Sequence, residues 1–145
     1  MAVATTRYDP NTIFLGGDRT QIGDLATSQV ITPGMGVERF NAAGVIRFRK
    51  ATAALAGALV ATEHAMTNKG VNDTYAINDL MEVSALHKGA TAWMLIASGQ
   101  TIVAGNQLEH AGDGTLRILA SGVPVFTALE NKTAVALTRL RVEAI

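Results

Sequence analysis

The chain contains no cysteine, which excludes disulfides and thiolate metal sites. It also lacks an excess of either charge: Lys plus Arg is 12 and Asp plus Glu is 12, for a formal net charge of zero. A nucleic-acid binder ordinarily carries a basic balance or a basic face, so the composition offers no nucleic-acid partner. Aromatic residues make up only 5% of the chain, which leaves few candidates for a sugar-stacking platform. No apolar run approaches the roughly 20 residues that a membrane-spanning helix needs. The most apolar stretch, Ala51 to Ala61, is short and contains Gly57. Met1 to Asn11 has no basic segment followed by an apolar core, so it does not read as a signal peptide. From these absences we expect a soluble protein made in the cytoplasm, with neither nucleic acid nor membrane as partner.

What is present is enough for a core. At 145 residues the chain has the size of one ordinary domain, and 48% of it is hydrophobic. Much of that fraction is alanine, so Val, Ile and Leu should build the interior, with Trp93, Phe40, Phe48 and Phe126 as its few large anchors.

The most informative feature is an internal repeat. Gln29-Val-Ile31-Thr-Pro-Gly34-Met-Gly-Val37-Glu38 parallels Gln100-Thr-Ile102-Val-Ala-Gly105-Asn-Gln-Leu108-Glu109. After a loop the likeness resumes, with Gly44-Val-Ile46-Arg47-Phe48 against Gly114-Thr-Leu116-Arg117-Ile118. The first Gly of each copy belongs in a tight turn, where a missing Cβ permits positive φ. The loops Asn41–Gly44 and Ala111–Gly114 supply hairpin turn chemistry. The returning strand alternates, placing Ile46 and Phe48 on one face and Arg47 and Arg49 on the other. Two copies are too few for a solenoid, so they read as related hairpins within one barrel-like domain.

The remainder also reads as strand. Glu82–Leu86 and Ala92–Ala97 flank a hairpin turn at His87–Ala90. Leu137–Glu143 alternates strictly, with Leu140 and Val142 opposite Arg139, Arg141 and Glu143. Val123–Thr127 reads as an edge strand because Pro124 cannot donate to a ladder. Ala51–Val60 reads as a connection with one helical turn. The expected organisation is all-β, a compact β-barrel with a duplicated hairpin over residues 12–145, preceded by an extended arm over residues 1–11. The first strand is expected at Thr12–Leu15.

No catalytic pattern stands out. His64, His87 and His110 are evenly spaced, but none has a second ligand at a recognised metal spacing. Glu63-His64 and Glu109-His110 are sequence neighbours, which on a strand face opposite ways. Ser98 lacks a nucleophile elbow, and Gly112-Asp-Gly114 and Gly16-Gly17-Asp18 lack the Lys-Ser/Thr of a phosphate loop. Asn72-Asp73 and Asn78-Asp79 lack calcium-loop spacing. We therefore expect no catalytic residue, no metal and no cofactor. The outward residues Arg47, Arg49, Arg117, Arg139 and Arg141 have two readings. One is a solvated face paired with nearby Glu; the other is a basic patch that docks on an acidic partner. Arg7 and Tyr8 on the arm are of interface-rich types, against the plain reading of a tail.

Glu63-His64-Ala65, Lys69-Gly70-Val-Asn-Asp73-Thr-Tyr75-Ala76-Ile-Asn-Asp79, the run Gly99–Glu109, Gly112–Arg117 and the closing Thr138–Glu143 together resemble the capsid decoration (cement) proteins of tailed bacteriophages. The resemblance extends from about Arg7 to the C-terminus and rests on turn and strand patterns. It implies a compact β-barrel, a β-tulip in some relatives. It also implies a homotrimer on the outer surface of the expanded head, clamping neighbouring subunits of the major capsid protein. A terminal arm that crosses onto a neighbour would fit such a role. The rival readings are a small-ligand or glycan-binding β-module and an enzyme subunit completed by a partner chain. The first would need exposed aromatics, for which only Trp93, Tyr8 and Tyr75 are available.

Overall fold

The computed structural model describes residues 12–52 and 57–145. The expected arm, with Arg7 and Tyr8, lies outside the described residues. The fold is all-β, with 51% of the described residues in strands or isolated bridges, and its only helical feature among the described residues is a single 3-10 turn at Ala65–Thr67. In chain order the strands are β1 (Phe14–Gly16), β2 (Arg19–Ala26), β3 (Val37–Ala42), β4 (Val45–Lys50), β5 (Leu59–Ala61), β6 (Leu80–Leu86) and β7 (Thr91–Ile96). There follow β8 (Thr101–Ile102), β9 (Gln107–His110), β10 (Leu116–Ile118), β11 (Phe126–Ala128), β12 (Lys132–Thr133) and β13 (Thr138–Ala144).

Five of these close into a barrel in the order β7-β10-β9-β11-β13, with β13 returning to pair with β7. The alternation in β13 explains why it closes the ring. Leu140, Val142 and Ala144 turn inward and are buried, while Leu140 lies opposite Met94 and Val142 opposite Ala92 on β7. A barrel of so few strands has a narrow interior, which small inward residues fit. Ala90, Ala92, Ala128, Ala134 and Ala144 occupy its core beside Met94, Ile96, Leu108, Leu116, Phe126 and Leu140, which accounts for the alanine-rich composition. Each large member contributes roughly 1.5–3 kcal/mol by leaving water.

A sheet of order β2-β6-β5 and a ribbon of β3 and β4 enclose a second core of Ile31, Val37, Phe48, Tyr75, Met81 and Val83. Leu95 joins the two cores. It lies on the barrel strand β7 between inward Met94 and Ile96, so it points away from the barrel and packs into the second core. Tyr75 is fully buried and donates its hydroxyl to the Thr62 carbonyl at 2.7 Å. Burial pushes that phenol up to about 12.

Several sequence expectations need correction. His87–Ala90 is a turn, but it joins no hairpin: β6 pairs with β2 and β5, whereas β7 pairs with β1, β10 and β13. The Gly89 amide is tied to Ala144, and the turn carries the chain from the sheet to the barrel. The strand near Pro124 begins only at Phe126 and is internal, flanked by β9 and β13. Leu59 and Val60 form strand β5 and are not part of a helical turn. Trp93 and Phe40 are half-buried, with Arg141 and Lys132 near the indole and Arg49 stacked 4.6 Å over the Phe40 ring. Ile46 is 47% exposed although Phe48, two residues on, is fully buried. The ribbon projects beyond the core at that point.

Candidate docking surface

The duplicated hairpins are the natural place to begin. Gly34 and Gly105 both adopt positive φ, at 98° and 93°. Ala43 and Gly44 both have positive φ and form a two-residue turn, as the primed hairpin turns require. That turn fixes the register of the first ribbon so that Glu38 lies opposite Arg49, and Arg47 lies opposite Phe40. In the second hairpin, Glu109 lies opposite Arg117. Arg47 and Arg117 match in sequence, yet Arg49 and Arg117 match in role, because the connections differ in length.

Both glutamates are buried, Glu38 at 6% exposure and Glu109 at 1%. Glu38 accepts two hydrogen bonds from Arg49, at 2.8 and 3.0 Å, and others from the Thr52 amide and hydroxyl. Glu109 accepts the amides of Ala120 at 2.6 Å and Ser121 at 3.3 Å, with Arg117 at 3.6 Å. Each carboxylate thus fastens the chain that leaves its hairpin. Burial would raise the Glu38 carboxyl, but the bonds from Thr52 and Arg49 outweigh it and hold it below the ordinary range. The Ala120 amide leads in lowering Glu109, against the opposing effect of burial.

The candidate arginines fall on different elements and are held by different partners. Arg47, half-buried on β4, donates to the Thr27 carbonyl and to Asn78. Arg49 and Arg117 pair with the buried glutamates. Arg141 is exposed and lies 3.4 Å from Glu130. Arg139 is turned against the fold: its guanidinium donates to the carbonyls of Pro33 and Val71 and to Asn72. It ties β13 to two loops of the other half, so it serves the architecture and does not face outward.

The histidines also separate. His110 is fully buried, donates from Nε2 to the Gly57 carbonyl at 2.9 Å, and meets Phe126 edge-on. Burial lowers its pKa. His64 is half-buried beside Glu82, and His87 is exposed. Among the described residues no three acidic or histidine side chains come together as a metal site would require.

The concave surface lies elsewhere, along β2 and β6. One hollow of about 380 Å³ is lined by Thr12, Arg19, Gln21, Thr62, Glu63, His64, Met66 and Glu82. A second, of about 390 Å³, is lined by Asp24, Leu25, Ala26, Ala42, Val45, Ile46, Arg47 and Leu80. Strand β2 was not legible in the sequence: its pairing with β6 slips between Ile22 and Leu25, at Gly23-Asp24, and that irregularity breaks the alternation.

The closed barrel, the flanking sheet and the projecting ribbon define the class as a small all-β barrel domain. No protein-family model and no curated protein sequence matches the chain. Among solved structures, the head fiber gp8.5 N base of bacteriophage phi29 matches with a TM-score of 0.58 at 12% identity, over 88% of this chain and 98% of that one. The two share a fold, and the match spans nearly the whole of both. The shared fold agrees with the all-β barrel expected from the sequence.

Proposed function

We propose that this chain is a structural protein of a tailed-phage head. In this reading it is made in the host cytoplasm, docks as a homotrimer on the outer surface of the expanded head, and stabilises the shell by clamping neighbouring major capsid subunits. It catalyses no reaction and needs no cofactor. The observation that carries the proposal is the fold shared with a head-fiber base over almost its full length. The resemblance of the Glu63–Asp79 and Gly99–Arg117 segments to decoration proteins supports it independently of the fold. A cement protein gains its hold from many repeated contacts, so each interface can be modest. Arg141 and the rim of the ribbon are the exposed charged and apolar groups that such contacts can use.

The test is to add purified protein to expanded heads stripped of decoration. Saturable co-sedimentation and a raised head melting temperature are expected, with sedimentation equilibrium giving about three times the 15.2 kDa chain mass. Absence of head binding, with selective retention on a glycan array, would overturn the proposal in favour of the glycan-binding module.

A further inference from the structure

The ribbon of β3 and β4 is cationic although the chain as a whole carries no net charge. It holds Arg39, Arg47, Arg49 and Lys50 against the single carboxylate Glu38, which is committed to Arg49. Directly opposed residues of an antiparallel pair share a face. Asn41 lies opposite Ile46 and Arg39 opposite Phe48, so these four residues lie on one face of the ribbon. Phe48 is buried there, whereas Ile46 and Arg39 are exposed. Arg39 has neither an ion pair nor a hydrogen bond among the described residues.

The sheet of β2 and β6 carries the opposite pattern. Leu80 lies opposite Ala26, and Asp24 stands two residues before Ala26. All three line the second hollow, in which Leu80 is 53% exposed. Asp24 is exposed too and has no partner among the described residues. Each surface therefore sets one exposed aliphatic side chain beside one unpartnered charge, and the two charges are of opposite sign. The spacing also matches. Arg39 stands diagonally across the ribbon from Ile46, and Asp24 stands in the same relation to Leu80, at the roughly 7–8 Å of diagonal neighbours. Within one subunit Arg39 does not reach Asp24, because it lies on the face opposite to that of Ala42, Val45 and Arg47, which line the hollow. Ile46, near the tip, borders the same hollow and still remains 47% exposed.

We infer that a second copy of this chain covers the hollow, head to tail: Ile46 of one copy packs on Leu25 and Leu80 of the next, and Arg39 pairs with Asp24. The inference rests on the homotrimer of the proposed function and names the surfaces that join its subunits. Such a contact uses two different patches, the arrangement that closes into rings. Burial of the aliphatic side chains supplies the hold. The charge pair fixes the register and disfavours the approach of like surfaces.

Charge exchange in the full-length protein tests it, with Arg39→Asp, Asp24→Arg and the two together. Both positions are exposed and unpartnered, so each variant should fold, with the Trp93 fluorescence of the parent. In sedimentation equilibrium the parent should give about three times the 15.2 kDa chain mass. Either single exchange sets like charges against each other and should raise the apparent dissociation constant at least about tenfold. The double exchange should restore most of that loss. Ile46→Asp should be monomeric at concentrations where the parent is trimeric. A monomeric parent would overturn the homotrimer and this contact together, and a dimer would overturn the ring. Trimers indifferent to the single exchanges and to Ile46→Asp would overturn the contact alone and leave the homotrimer standing; a loss of head co-sedimentation in those same variants would then assign the surface to a capsid subunit. Single exchanges that weaken association without rescue in the double variant would overturn the pairing of Arg39 with Asp24.

Discussion

Gly36 leaves room for the His110 ring where the two halves of the fold meet, and the two can be tested as a pair. Gly36 donates to the Gly114 carbonyl at 2.8 Å and accepts from the Ala51 amide at 3.0 Å, so its backbone is pinned. A Cβ there would lie 2.4 Å from His110 Cε1 and 2.6 Å from Nδ1. The ring cannot step aside, being fully buried, bonded to Gly57 and packed on Phe126. Gly36→Ala should therefore cost about 1–3 kcal/mol by overpacking. His110→Ala should cost about 3 kcal/mol from the cavity and the lost hydrogen bond. Either variant should still fold if the stability lies in the usual range of about 5–15 kcal/mol. In the double variant the added methyl enters space that the ring vacated. Its cost there should vanish, leaving the gain of roughly 0.4–1 kcal/mol that Gly→Ala brings by restricting the unfolded chain. The cycle should thus show a favourable coupling of about 2 kcal/mol. Urea unfolding followed by the fluorescence of Trp93, the one tryptophan, measures each corner. Costs that add within about 0.5 kcal/mol would refute the contact.

Three further outcomes are expected. Gly105→Ala should cost about 1–2 kcal/mol, the strain of a left-handed residue in open space, and Gly34→Ala more, because its Cβ would also lie 3.2 Å from Arg139 Nε and 3.4 Å from the Trp93 carbonyl; urea midpoints rank the two. Arg139→Lys should lose about 1–3 kcal/mol, since one ammonium cannot reach Pro33, Val71 and Asn72 together; thermal melts that match the parent would contradict this. Acid should weaken the fold in two stages. His110, lowered by burial, stays neutral in the folded state while the unfolded chain takes a proton, so stability is full above the ordinary value of 6.5 and declines as pH falls through it toward the folded pKa. Glu38 and Glu109 are also lowered, so their contribution is present above the ordinary value of 4.5 and is lost as pH falls through their folded pKa values. In His110→Gln the first stage should disappear from urea midpoints measured against pH while the second remains.

The local patterns of the sequence were sufficient for the strands whose side chains alternate and for the turns that need glycine. The alternation read over Leu137–Glu143 marks the strand that forms at Thr138–Ala144, and Gly34 and Gly105 both take the positive φ that their turn position implied. The all-β class followed from the same signals. Strand β2 escaped because Gly23-Asp24 shifts its register and hides the period. The candidate arginines were legible as residues facing away from core positions, but their partners were not. Glu38 meets Arg49 because a two-residue turn sets the register of that ribbon, whereas the wider turn Ala111–Thr115 brings Arg117 to Glu109.

Tertiary structure alone decided where each strand went. The turn at His87–Ala90 looks the same in sequence whether it folds a strand back on its neighbour or passes it to another sheet. Here pairings with β13 and β1, far away in the chain, hold β7 in the barrel. Likewise nothing local distinguishes Arg139 from Arg141, two residues apart and on the same face of one strand. The Pro33 and Val71 carbonyls lie within reach of Arg139 and draw it against the fold, while Arg141 remains exposed beside Glu130. Periodicity encodes which face of a strand is apolar, because that depends only on its own residues. Which surface that face meets depends on residues elsewhere in the chain, and only the folded structure brings them together.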